Sequence, residues 1–347
     1  MDYNRSKIRE GGESMLYERI QNEVVEELQN LGLHYYGFME AKKLSEDSLS
    51  YFRERAEKNL TTSFEENDLM KKVDLRSEME NAKTIISVAF PYFYDAYIHK
   101  DGYFSLYTLG QDYHIVVKEY LEKVAEVIRK NGFEAKVFAD NNSLPERYIA
   151  YASYVGEIGK NHMLITKEYG SYVFLGEILT DLPMRTRERG YQNIPLHTIC
   201  GDCTNCIKAC PTQILGSEYY DTKRCMSYIT QSKEVSDEDL LLFKGRLFGC
   251  DTCQRSCPLN RDVNTSHIEA FRPRDYMKYP EPLKLLQLTN KEFLKYKETS
   301  SGWRGKKLLQ RNAMIELMRK GMAVEAEEIR TEYLLEYYHR LKKLFNL

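Results

Sequence analysis

The chain has 347 residues, 42% hydrophobic and 29% charged, with a formal net charge of -2, enough for one to three domains with real cores. No apolar run reaches membrane-spanning length, and the polar opening MDYNRSKIREGGES lacks the apolar segment of an export signal, so a cytoplasmic protein with no membrane partner is expected. The small net charge conceals a basic stretch at residues 271–320, with 13 Lys and Arg against 5 Asp and Glu; such a stretch serves a nucleic-acid partner or merely solvated helix faces.

Residues 1–14 read as a flexible extension. Residues 15–31 form an amphipathic helix, with Leu16, Ile20, Val24, Leu28 and Leu31 at helical spacing and Gly32 at its end. A short strand follows at 35–39, then a polar, interrupted helical region at 44–82. TIISVAF at 84–90 is a buried strand ended by Pro91. A Tyr-rich loop and LGQDYH at 109–114 lead into a second helix carrying Val117, Tyr120, Leu121, Val124 and Ile128. It breaks at Asn131-Gly132. The strand at 134–139 runs into Asp140, Asn141 and Asn142. Ser143 and Glu146 have capping-box spacing, with Pro145 in the first turn of a helix from Leu144 to about Val155. After the loop GEIGKN at 156–161 come strands at 162–166 and 171–179. Strands alternating with helices give an α/β or α+β sheet domain over 15–185. A linker at 183–195 delivers residues 186–265. A helical region at 266–347 ends in an antiparallel pair at 311–320 and 323–345.

All eight cysteines lie between residues 200 and 257. CGDCTNCIKACP at 200–211 has the C-x2-C-x2-C-x3-C-P spacing of bacterial ferredoxins. CDTCQRSCP at 250–258 is one cysteine short, and Cys225 supplies the missing thiolate. Three thiolates of a tight loop face one cluster, and the fourth, followed by Pro, reaches the other. This places Cys200, Cys203, Cys206 and Cys257 on one [4Fe–4S] cluster and Cys210, Cys225, Cys250 and Cys253 on a second. A disulfide framework belongs to small secreted scaffolds, and zinc pairs leave the x3-C-P endings without a purpose. Asp140 sits at the C-terminal end of a strand, a common ligand position in open α/β sheets, and equally within ordinary turn and cap chemistry.

With these residues in view, the chain resembles the epoxyqueuosine reductase family, which is related in layout to reductive dehalogenases. The resemblance runs from about residue 84 to residue 312. It rests on LGQDYH (109–114), Asp140 with Glu146-Arg147, IGKN (158–161), GSYVFLGEILT (170–180), both cysteine runs, Arg224-Cys225 and Arg311-Asn312. The sequence leaves the family pattern at Ser143, where Pro is usual. It leaves it again where Tyr154, Val155, Gly156 and Glu157 stand for Gly-Leu-Gly-Trp.

The resemblance implies an N-terminal α/β sheet domain holding base-off cobalamin against a ferredoxin-like dicluster module; with the C-terminal helices, whose one pair has the form of a single HEAT-like unit, the expected fold is α+β. It implies a reductase that removes the epoxide oxygen of epoxyqueuosine in the anticodon loop of tRNA. By the same resemblance Asp140 is the proton donor, kept protonated by burial, and Tyr113, His114, Arg147, Ile158, Gly159, Lys160 and Asn161 line the cobalamin. Electrons come from an external one-electron donor such as flavodoxin or ferredoxin, and the protein is expected to be a monomer. Arg272, Arg274, Lys306, Lys307 and Arg311 are candidates for phosphate contacts. Two other readings use the same residues: a corrinoid reductase of a small molecule, and a two-cluster electron-transfer protein without a corrin.

Overall fold

The structure, a computed structural model, describes residues 2–95, 98–189, 197–217, 219–326, 329 and 331–347, without the side chains of 2–12 and 198. The strands in chain order are β1 Tyr36–Glu40, β2 Thr84–Pro91, β3 Tyr103–Phe104, β4 Ala135–Phe138, β5 Glu157–Ile158, β6 Leu164–Ile165, β7 Val173–Thr180 and β8 Arg246–Phe248. The first five α-helices are α1 Asp2–Asn30, α2 Glu46–Glu57, α3 Leu69–Val73, α4 Tyr113–Lys130 and α5 Glu146–Ala152. Contacts divide the chain into two units. The first holds residues up to Pro91 and His114–Asp202; the second holds Tyr92–Tyr113 and Cys203–Leu347. The expected consecutive domains are thus interleaved.

The first unit is built on a four-stranded sheet of order β1-β2-β7-β4, with every neighbouring pair antiparallel. The α+β reading holds. The open parallel sheet used to place Asp140 at a strand end does not, because βαβ crossovers are absent from this order. β2 is buried along its whole length, as a central strand covered on both faces must be, so its apolar residues run on without alternating. On β7 successive side chains point to opposite faces. Gly176 faces α4: a Cβ there would come within 2.5 Å of Val117 and 2.8 Å of Leu121. The missing side chain lets the apolar stripe of α4 (Val117, Leu121, Val124, Ile128) close onto the sheet. Leu179 faces the other way, into a cluster with Met39, Leu49, Val73, Leu75, Ile85, Phe138 and Ile149. Glu177 shares the face of Leu179, which sets its role below.

Three local expectations are corrected. The first helix starts at Asp2, not near residue 15, since polar helix formers extend a helix without an apolar face. Ser143 makes no capping box: Pro145 is the N-cap and has no side-chain cap bond, while Ser143 is buried and donates to Glu78 at 3.1 Å. The last helix is Glu332–Phe345 rather than one beginning at 323.

The second unit has a core built around β3, which pairs in parallel with β8. The helix Lys306–Arg319 packs on β8 and on Glu332–Phe345. Arg311 is fully buried. Its guanidinium donates to the carbonyls of Ser232 at 2.6 Å, Lys233 at 3.1 Å and Thr230 at 3.3 Å, and Asn312 donates to Thr230 and Leu247. Arg311 therefore holds the backbone and is withdrawn from the set of phosphate candidates. Arg272 and Arg274 pair with Glu269 and Glu298, whereas Lys307 is exposed. No helix among the described residues is long and apolar enough to cross a membrane.

Candidate active site and iron–sulfur ligands

Beyond β4 the chain turns through two left-handed residues, Asp140 (φ 50°) and Asn141 (φ 51°), a conformation that Asp and Asn tolerate better than other side chains. Glu146, in the first turn of α5, holds this loop. Its Oε1 accepts from the Asp140 backbone N–H at 2.8 Å and from Asn142 Nδ2 at 3.1 Å. Asn142 Oδ1 in turn accepts from the Leu144 N–H at 2.7 Å. The Asp140 side chain is 52% exposed, with Oδ2 3.5 Å from His114 Nε2 on α4. The burial expected to keep Asp140 protonated is therefore not supplied by these neighbours. What they present instead is negative charge.

That charge comes from two carboxyls. Glu177 is fully buried, and its Oε1 accepts from Ser87 Oγ at 3.4 Å. Its Oε2 makes no well-formed hydrogen bond among the described residues. Burial, and then the charge of Glu146, raise the Glu177 carboxyl well above the usual range. Glu146 is pushed up to about 7, first by burial and then by Asp140. Two such carboxyls in a dry site do not ionise together, so the pair retains a proton near neutrality. Sequence reading missed Glu177, though a signal existed: an acidic residue inside an otherwise apolar strand.

Arg147, the next residue of α5, reaches the other candidate group. Its Nη1 donates to the His162 carbonyl at 2.6 Å, on the β5–β6 hairpin. Within the hairpin the Gly159 N–H donates to the Met163 carbonyl at 3.0 Å, and the His162 N–H to the Gly159 carbonyl at 2.8 Å. Asn161 is buried, with Oδ1 taking the Met163 N–H at 3.2 Å; its Nδ2 is buried with no acceptor among the described residues. Lys160 turns to the first cysteine run: its backbone N–H donates to Cys200 Sγ at 3.4 Å and its Nζ to the Gly201 carbonyl at 2.6 Å. His162 is held neutral, its pKa pushed down to about 3 by burial and then by Arg147. The structure thus joins His114, Asp140 and Glu146 in one group and Arg147, Ile158, Gly159, Lys160 and Asn161 in another, with α5 touching both. Tyr113 groups with the second unit.

The departures at 154–157 have a local explanation. Tyr154 is left-handed (φ 65°) at the position where the family pattern has Gly, a conformation costing roughly 1–2 kcal/mol. Offsetting contacts come from the guanidiniums of Arg187 and Arg189, 4.3 Å and 4.6 Å from its ring. Glu157 pairs with Arg189 at 2.6 Å.

None of the eight cysteines is joined in a disulfide among the described residues. Cys210, Cys225, Cys250 and Cys253 form a set of electrostatic neighbours. Burial and then Cys250 push Cys225 up to about 11, and burial, then Cys250 and Cys225, raise Cys253 well above its ordinary value. Buried thiols crowded in this way release their protons when they bind metal.

An antiparallel sheet domain with an anchored acid loop, continuous with a double ferredoxin-type cysteine module, defines an iron–sulfur redox enzyme. Residues 199–260 match the 4Fe-4S double cluster binding domain family, and residues 72–141 match the family described as Epoxyqueuosine reductase QueG, DUF1730. An epoxyqueuosine reductase of Lactococcus garvieae is 34% identical over 313 residues, 86% of each chain. A crystal structure of epoxyqueuosine reductase with an epoxyqueuosine-modified tRNA-Tyr stem loop superposes with a TM-score of 0.81 at 27% identity, covering 95% of this chain and 99% of that one. A Bacillus subtilis epoxyqueuosine reductase, its catalytic aspartate loop swung out of the active site, superposes with a TM-score of 0.79 at 27% identity, over 94% and 99% of the two chains. This chain belongs to the epoxyqueuosine reductase family.

The 4Fe-4S double cluster domain calls for two [4Fe–4S] clusters, and cobalamin is the further cofactor that the family resemblance implies. The residues present fit them. Eight thiols match two four-ligand clusters in number and in softness. The buried Nδ2 of Asn161 is a donor awaiting an acceptor, of the kind a corrin side-chain amide offers. Gly159 packs against its own hairpin, where a Cβ would lie 2.6 Å from Ile165 and 2.8 Å from Asn161 Oδ1.

Proposed function

We propose that this protein reduces epoxyqueuosine to queuosine in tRNA, with Asp140 giving the proton to the departing epoxide oxygen. The reaction takes up two electrons and two protons and releases the oxygen as water. Cobalamin, held at the surface named below, would supply low-valent metal chemistry, and the clusters would supply single electrons. The chain's own residues do the rest. Glu146 fixes the backbone of the acid loop, and Asp140 holds the proton at its carboxyl. Asn161, Lys160, Gly159, Ile158 and Arg147 form the cobalamin-side surface, joined by His114. Cys200, Cys203, Cys206 and Cys257 hold one cluster; Cys210, Cys225, Cys250 and Cys253 hold the other. Lys307 and its basic neighbours serve the tRNA backbone. The protein works as a cytoplasmic monomer fed by flavodoxin or ferredoxin.

The observation that carries this reading is the anchored Asp140 loop in a chain whose relatives bear this activity across most of their length. Anaerobically reconstituted protein, given a strong one-electron reductant, should convert epoxyqueuosine-containing tRNA. Asp140→Asn should lose at least about a hundredfold in turnover, the scale of a general acid, with iron and cobalamin content unchanged. Full activity in that variant would remove Asp140 from the mechanism, and no conversion by the fully loaded wild type would remove the tRNA substrate.

A further inference from the structure

We infer that Arg246 sets the reduction potential of the cluster bound through Cys250, an inference that rests on the cluster ligation given above. Arg246 is 7% exposed, on β8, where pairing with β3 fixes its backbone. Its Nε donates to Cys250 Sγ at 3.2 Å. Its Nη2 donates to Thr252 Oγ1 at 2.6 Å, and that hydroxyl lies 3.3 Å from the same sulfur. Having accepted from the guanidinium, Thr252 has its own hydrogen to give to the sulfur. Nη1 is held by the carbonyls of Leu242 at 3.1 Å and Phe243 at 2.9 Å. The guanidinium is thus locked against one ligand atom, directly and through a hydroxyl.

Charged neighbours do not cancel this arrangement. The Asp251 carboxylate is fully buried, but it is taken up by Ser105 Oγ at 2.6 Å, the Leu106 N–H at 2.8 Å and Arg255 at 3.6 Å. Within the same ligand set, Cys225 meets the backbone N–H groups of Ser227 and Tyr228, and Cys210 meets the Thr212 hydroxyl at 3.6 Å. Those donors are neutral; the one at Cys250 is a cation. Reduction adds one negative charge to the cluster, so a fixed cation on a ligand sulfur favours the reduced form and raises the potential. The effect is large where water is excluded.

The test is a potentiometric titration of the reconstituted full-length protein, followed by paramagnetic resonance. In Arg246→Met one of the two cluster potentials should become more negative while the other stays put. Arg246→Lys, which keeps the charge, should restore most of the shift. Thr252→Val, which leaves the guanidinium in place, should move the same potential in the same direction by a smaller step, and it serves if Arg246→Met does not fold. Unchanged potentials in Arg246→Met and Thr252→Val at full iron content, or equal shifts of both clusters, would overturn the assignment. Wild-type protein that takes up iron for fewer than two clusters would instead overturn the ligation beneath it.

Discussion

Glu177 and Glu146 show how a single side chain can make a fold depend on pH. Both carboxyls are raised in the folded protein, by burial first and by a neighbouring carboxylate second. Between the ordinary Glu value of about 4.3 and those raised values, the native state binds more protons than the unfolded state. Stability must then fall as pH rises through that window, which for Glu146 extends to about 7. Glu177→Gln keeps an acceptor for Ser87 and removes the buried acid. The melting temperature of loaded wild-type protein should therefore drop between about pH 5 and about pH 7, and Glu177→Gln should flatten the drop. An equal drop in the variant would show that the pair does not share a proton. At this scale the cysteines were legible from spacing alone, because ligation imposes a fixed geometry on nearby residues. Asp140 was legible only through resemblance, since Asp-Asn-Asn-Ser also spells a turn. Glu177 was visible only as an acidic residue in an apolar strand; its role was not legible, because its partners Ser87 and Glu146 come from distant parts of the chain.

Among the elements, α4 was read correctly from its apolar periodicity and the strands β2 and β7 from their apolar runs, which depend only on local sequence. Their order in the sheet was not, nor was the two-residue β5, since both are decided by contacts between distant segments. Gly176 is where this matters. Strand propensity argues that Ala should improve on Gly by roughly 0.5–1 kcal/mol. The contact with Val117 and Leu121 argues the opposite sign, and overpacking of this kind costs about 1–3 kcal/mol. Gly176→Ala should therefore destabilise the protein in chemical denaturation; a stabilised variant would show that α4 yields without cost. Ser143 teaches the same lesson at a helix start. Its spacing to Glu146 suits a capping box, yet Glu78 and the Asp140 loop claim the two side chains.

For the molecule as a whole, the interleaving of the two units bears on how it can be divided. The sequence suggests a cut ahead of the cysteine module at about residue 186. The structure gives Tyr92–Tyr113 to the unit that carries Cys203–Leu347. That segment supplies β3 as the partner of β8, and Ser105 and Leu106 as partners of buried Asp251. A fragment of residues 186–347 leaves Asp251 buried without those bonds, at a cost of roughly 1–3 kcal/mol or more. It should bind less iron per chain than the full-length protein and show a broadened thermal transition. Full cluster loading with a sharp transition would mean that the module folds without β3.

The Arg311 guanidinium also fixes an order of events during synthesis. It takes up the Thr230 carbonyl from 81 positions further along the chain. All eight cysteines therefore leave the ribosome well before the residue that closes the backbone around them. Until Arg311 and Asn312 emerge, the Thr230 and Ser232 carbonyls lack the side chains that take them up. Closure of the backbone at residues 230–233 is thus a late step in the life of the chain.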